Sequence, residues 1–192
     1  MGHLKIWTIG HSTRPVEELI GMLESAGVNL LVDVRAFPRS RRHPQFNRES
    51  LAGSLEGHGI AYRWEGEALG GFRKPSPESR NTALRNPSFR GYADYMESEV
   101  FGAAAGKLMD SARANRLALM CAEQHPSRCH RRLISDWLVA RGVEVDHLLG
   151  AGRTERHNPT EGSVIASGTV LYPGGQLGLE LGKGSGATRK RV

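Results

Sequence analysis

Short apolar runs closed by polar residues alternate along this chain with stretches whose apolar side chains recur at helical spacing, and that alternation leaves it few architectures. Lys5 to Gly10 reads KIWTIG, followed by a polar turn and then by Val16, Leu19, Ile20 and Leu23. Those four positions share one helix face, with Thr13 as the expected N-cap and Pro15 tolerated in the first turn. Leu30 to Val34 is a second buried-type run, and Asn47 is expected to cap a helix carrying Leu51 and Leu55 that Gly57 and Gly59 end. Further strands are expected at Ile60 to Trp64, Leu117 to Cys121 and Val143 to Leu148, and helices from Tyr92 to Ala114, broken near Gly102, and from Arg131 to Arg141.

Parallel strands need long crossover connections, so strands separated by helices imply an α/β domain with a mostly parallel sheet flanked by helices. Ligands of such sheets bind beyond the carboxyl ends of the strands. The segment from Glu65 to about Arg90 holds Gly70, Gly71, Pro75, Pro77 and Pro87 and reads as a long loop, a lid or binding segment.

The 192 residues suit one domain, assigned to 1–149, with a Gly-rich extension over 150–192. Within that extension a hairpin is expected around Thr169 to Leu181, turning at Pro173-Gly174-Gly175, before a disordered basic tail ending in Arg189-Lys190-Arg191. No apolar run reaches the roughly 20 residues of a membrane span, and the opening MGHLKIW holds no long apolar signal region. A cytoplasmic protein without membrane contact is expected. Two cysteines, Cys121 and Cys129, are too few for a disulfide framework and are expected as reduced thiols.

The formal charge of +6 favours anionic partners where it is clustered, and it is clustered. Arg35, Arg39, Arg41, Arg42 and Arg48, with His43, fall in a stretch without one acid, interleaved with Phe37, Phe46 and Asn47. Charge for phosphates alternating with rings that stack on bases is the pattern of nucleotide or nucleic-acid contact. The plainer alternative is a solvated loop with Phe37 and Phe46 turned into the core.

Three strand ends deliver polar groups: His11 and Ser12, then Asp33 and Arg35, then Cys121 and Glu123. One such residue alone is more often a hydrogen-bond partner that fixes a loop; three together point to a site. The segment from Cys121 to Arg131, CAEQHPSRCHR, runs from strand to helix, so N–H groups near its helix start face outward and attract anions, with Arg128, Arg131 and Arg132 in support.

Several chemistries compete there. Cys129, near a helix start with His130 and arginines, is better placed for thiolate chemistry than Cys121, which reads as buried and inert. The phosphatase-type loop of a cysteine, five residues and an arginine is not matched, since six residues separate Cys121 from Arg128. Cys121, His125, Cys129 and His130 are soft ligands, but their spacing fits no common zinc pattern, so no metal is expected. Asp33 and Glu123, facing each other, would form an acid–base pair.

The segments TIGHS (8–12), DVR-x-x-P-x-S (33–40), Phe46-Asn47, Leu69-Gly70-Gly71 and CAE-x-x-P-x-x-CHR (121–131) together resemble the family called domain of unknown function 488. The resemblance spans roughly residues 5 to 149. It implies an α/β domain sharing His11, Ser12, Asp33, Arg35, Asn47, Glu123, Cys129, His130 and Arg131, and it implies no reaction.

The expected site therefore has His11, Asp33, Glu123, Cys129 and His130 as catalytic groups. Ser12, Arg35, Arg39, Arg41, Arg42, Asn47, Arg128 and Arg131 are expected to hold substrate. The function expected of them is that of a small enzyme working on a phosphate-bearing substrate, a nucleotide or nucleic acid. A nucleic-acid-binding module without catalysis and a thiol-based enzyme or sensor are the alternatives, and no cofactor is indicated.

Overall fold

The structure, a computed structural model, describes residues 4–175. Strands β1 (Lys5–Gly10), β2 (Leu30–Asp33), β3 (Ala61–Trp64), β4 (Leu117–Cys121), β5 (Glu144–Gly150) and β6 (Arg153–Arg156) form one sheet in the order β3-β2-β4-β1-β5-β6. All neighbouring pairs are parallel except β5 with β6. Helices α1 (Val16–Ser25) and α2 (Arg48–Glu56) accompany the first three strands. A one-turn α3 (Gly66–Leu69) precedes α4 (Pro87–Tyr95) and α5 (Glu99–Ala114), and α6 (Arg131–Val139) joins β4 to β5. This is the α/β class expected of the alternation.

Side chains of a strand alternate between the two faces, and the core divides accordingly. Trp7, Ile9, Leu31, Ala118 and Met120 pack with Leu19, Leu23, Leu51 and Leu55 of α1 and α2. Ile6, Val32, Leu117, Leu119 and Cys121 pack with Phe101, Leu108, Leu133 and Trp137 of α5 and α6. Register fixes which polar residue belongs to which side: Gly10 pairs with Cys121, and Asp33 pairs with Met120.

Several boundaries differ from expectation for local reasons. Helix α1 starts after Pro15 without a side-chain cap, so Thr13 does not fill that role. Asn47 stands at the N-cap position of α2, but its Oδ1 accepts from the backbone N–H of Ser40 at 2.7 Å and ties down the preceding loop instead. The 92–114 region breaks at Met96–Ser98, not near Gly102, because Ser98 Oγ accepts the N–H of Phe101 and starts a new helix. Residues 70–86 hold no helix or strand, as the glycines and prolines require, yet the stretch is anchored. Asn81, fully buried, donates to Asp94 and accepts from the N–H of Tyr172.

The hairpin of the C-terminal extension lies earlier than expected: β7 (Val164–Ala166) pairs antiparallel with β8 (Thr169–Leu171). Its turn is Ser167-Gly168, both at positive φ (50° and 76°), the conformation that two-residue hairpins require. Of the hairpin expected to turn at Pro173-Gly174-Gly175, residues 176–181 lie outside the described residues, as does the basic tail. Val170 and Tyr172 join the core beside α6. No helix of the described residues is long and apolar enough to cross a membrane.

Candidate functional site

The carboxyl ends of β2, β4 and β1 lie side by side, and their polar residues form two clusters on opposite faces of the sheet. On the α1/α2 face, Asp33 is fully buried and holds Arg35 by hydrogen bonds from Nε (2.9 and 3.1 Å) and Nη2 (2.6 Å). Tyr62 donates its hydroxyl to the same carboxylate at 2.6 Å. Burial alone would push the Arg35 guanidinium down, but hydrogen bonds and charge from Asp33 more than offset it, and its pKa rises. Burial and Asp33 also raise the Tyr62 phenol, which stays a donor.

Arg35 also donates from Nη1 to His11 Nε2 at 3.1 Å and from Nη2 to the carbonyl of Phe46 at 2.7 Å. An arginine can only donate, so His11 carries its proton on Nδ1 and donates it to the Ser12 carbonyl at 2.9 Å. Burial, then the charge of Arg35, lowers the His11 pKa to about 4. Phe46 stacks on its ring at 4.3 Å between centroids. Every polar group here has its partner within the fold.

On the other face a cavity of about 350 Å³ opens, lined by Arg35, Ala36, Phe37, Gly71, Phe72, Ser88, Phe89, Cys121, Ala122, Glu123, Arg128, Cys129 and His130. Cys121 ends β4 on this face and donates its thiol to Glu123 Oε2 at 3.1 Å. Cys129 sits just before α6, where the backbone N–H and the Nε–H of Arg131 both donate to its sulfur at 3.4 Å. Burial raises a thiol, but the neighbouring Cys121 thiol, the charge of Arg131 and the adjacent His130 outweigh it here. The Cys129 thiol thus lies well below its ordinary value, while that of Cys121 is driven well above by the neighbouring Cys129 sulfur and by burial. Glu123, partly shielded at the cavity wall, has its carboxyl raised by that shielding and by the Cys129 sulfur.

His130 Nδ1 lies 3.7 Å from Cys129 Sγ and 3.9 Å from Cys121 Sγ. Its other nitrogen, Nε2, is buried without a hydrogen-bond partner. Two glycines make the approach of these segments feasible. A Cβ on Gly71 would meet His130 Nδ1 at 2.7 Å, and one on Gly10 would fall 1.8 Å from the Glu123 carbonyl oxygen.

Arg131 is almost fully buried, which no sequence pattern announces for an arginine. It donates from Nη2 to the Glu123 carbonyl at 2.5 Å and from Nη1 to Thr8 Oγ1 at 3.2 Å. Thr8 Oγ1 lies 2.7 Å from His147 Nδ1, His147 Nε2 lies 2.9 Å from His157 Nδ1, and His157 Nε2 lies 2.8 Å from Asp136 Oδ1. Thr160 and Tyr172 donate to Asp136 from the C-terminal extension. Burial and His157 lower the His147 pKa to about 3. This buried chain is supplied by residues from four distant stretches, and nothing local in the sequence marks it.

The expected site residues thus fall into three places. Glu123, Cys129, His130, Arg128 and part of Arg35 line the cavity. His11 and Asp33 stand on the far side of the sheet, so Asp33 and Glu123 do not face each other as an acid–base pair; Asp33 is already committed to Arg35 and Tyr62. Ser12, at φ 50°, donates its N–H to the Ala122 carbonyl, and Asn47 braces Ser40; neither lines the cavity. Arg39, Arg41 and Arg42 are exposed and outside the cavity lining. Of the two phenylalanines of that loop, Phe46 is core, whereas Phe37 is 73 % exposed beside Phe72 at 75 %. Cys121 is buried as expected, but at the cavity floor with Glu123 as its partner.

The family model described as domain of unknown function DUF488 matches residues 15–138, which contain both cavity walls and all but His11 and Ser12 of the expected site. No curated protein and no solved structure matches the chain.

Proposed function

The chain belongs to the DUF488 family, whose description assigns no reaction, and from its cavity we propose a small enzyme acting on a phosphate-bearing, nucleotide-type substrate. The observation that carries this reading is the pairing of an aromatic mouth with a reactive floor. Phe37 and Phe72 leave their rings in solvent at 5.7 Å between centroids, with Phe89 behind them in the wall. Large aromatic side chains left exposed at a cavity mouth favour a flat, ring-bearing ligand. Arg128 in the lining supplies a planar oxyanion donor, and the exposed Arg39, Arg41 and Arg42 add positive charge on the loop that carries Phe37. In this reading a nucleotide is the ligand of the cavity, and a longer nucleic acid would run over the arginine strip.

Glu123, in the cavity lining, is the acid–base group of this reading. Asp33, His11 and Arg35 are positioning residues: their network fixes the loop that carries Ala36 and Phe37. The test is turnover of nucleotides and oligonucleotides by wild type and Glu123→Gln. Loss of roughly 10²–10⁴ in rate with binding retained supports the role; full activity of the variant on an identified substrate removes it. A non-catalytic binding module would instead show affinity falling steeply with salt and no turnover.

A second reading, a thiol-based enzyme or sensor, is favoured by one specific contact, the double donation of Arg131 to the Cys129 sulfur. It predicts that Cys129 is alkylated at neutral pH faster than a free cysteine.

A further inference from the structure

Three soft donor atoms meet at the cavity floor. Sγ of Cys121, Sγ of Cys129 and Nδ1 of His130 lie within 4.8 Å of one another, in buried residues. The two sulfur-to-nitrogen separations are 3.9 and 3.7 Å. A tetrahedral zinc ion with Zn–S of about 2.3 Å and Zn–N of about 2.0–2.1 Å holds its sulfur and nitrogen donors about 3.6 Å apart. The two sulfur–nitrogen sides are therefore within a few tenths of an ångström of that spacing. Neither cysteine is engaged in a disulfide.

The surroundings suit a metal as well as the ligands do. Arg131 already directs two N–H donors at the Cys129 sulfur, the outer contacts that stabilise a coordinated thiolate. Room beside His130 Nδ1 exists because residue 71 is glycine, and the Tyr92 ring at 5.0 Å holds the imidazole in place from another side. Two sulfurs and an imidazole select zinc over magnesium or calcium, which take oxygen.

We propose that Cys121, Cys129 and His130 bind one zinc ion whose fourth position opens into the cavity. Three protein ligands and one open position are the composition of catalytic zinc sites, in which a bound water becomes acidic. Glu123 stands beside that position, its Oε2 3.1 Å from the Cys121 sulfur. The proposal rests on the nucleotide reading only for what the open position faces.

The experiment is metal analysis of the untagged full chain, purified without chelator, followed by removal of metal and reloading with zinc or cobalt(II). About one zinc per chain is expected, together with a near-ultraviolet thiolate-to-cobalt charge-transfer band. Zinc should also slow alkylation of both cysteines by roughly tenfold or more. Cys129→Ser and His130→Gln should each weaken zinc binding by at least that factor; should either variant fail to fold, the cobalt spectrum of the wild type decides. A metal-free protein that takes up no zinc from excess, or cobalt bound without the sulfur band, overturns the site. Zinc uptake without nucleotide binding would remove only the nucleotide reading, and nucleotide binding by a protein indifferent to zinc would remove only this one.

Discussion

The two polar clusters at the carboxyl edge of the sheet are built from similar residue types and differ in how completely they are satisfied. On one face, Asp33, Arg35, Tyr62 and His11 are tied to one another by hydrogen bonds, and the Arg35 charge has its counter-ion in Asp33. On the other, Cys121, Glu123, Cys129 and His130 leave a raised acid, a lowered thiol and an orphaned imidazole nitrogen beside a cavity. A buried ion pair with every partner in place specifies geometry; groups left under-satisfied next to open space are the ones available for chemistry. Charge and burial alone would have ranked the Asp33 cluster first.

Substitution should separate the two faces most strongly at Asp33. Asp33→Asn leaves the buried Arg35 charge without its counter-ion and should cost about 3–5 kcal/mol of stability, read as a fall in the urea midpoint. Glu123→Gln should lose turnover while its unfolding free energy falls by no more than about 1 kcal/mol, since Glu123 stands at the cavity wall with the Cys121 thiol as its hydrogen-bond partner. If the two variants behave alike, the division into framework and reactive floor is wrong.

Acid sharpens the contrast next. His11 and His147 have folded pKa values of about 4 and about 3, below the 6.5 of an unfolded histidine. Their contribution is therefore present above pH 6.5 and is lost as pH falls from there towards the folded values, because the unfolded chain takes up the protons first. Each should cost about 2 kcal/mol by pH 5. His147→Asn should remove about one proton from the slope of stability against pH.

Smaller effects are expected at the cavity wall and its rim. Gly71→Ala forces a Cβ against the His130 ring and should cost about 1–3 kcal/mol, with weakened zinc binding as its second readout. Replacing Arg39, Arg41 and Arg42 together by alanine should leave stability within about 0.5 kcal/mol, as these side chains are exposed. It should lower oligonucleotide affinity and flatten its salt dependence. Unchanged salt dependence would detach that strip from ligand binding.

Much of the architecture is legible in the chain because periodicity is local: β1, α1, β2, α2, β4 and α6 each announce themselves by spacing. His11, Asp33, Cys121 and Glu123 are likewise visible as polar residues closing apolar runs. Their division between faces is not, because it depends on inter-strand register. Asp33 sits opposite Met120 and Gly10 opposite Cys121, and a shift by one residue would have put all of them on the other side.

Long-range packing hides the rest. Asp136, His147, His157 and Tyr172 become one buried network only when the extension folds back on α6, and the cysteines match no zinc spacing because the turn at Pro126–Arg128 folds them together. The Ser167-Gly168 turn, by contrast, carried a readable signal in its Ser-Gly pair.

The most direct test is a crystal of the zinc-treated protein grown with a nucleoside monophosphate. The account predicts a metal peak between Cys121, Cys129 and His130, the base against Phe37 and Phe72, and the phosphate on Arg128. Ligand density at His11, Asp33 and Arg35, with the sulfur-lined cavity empty, would contradict it.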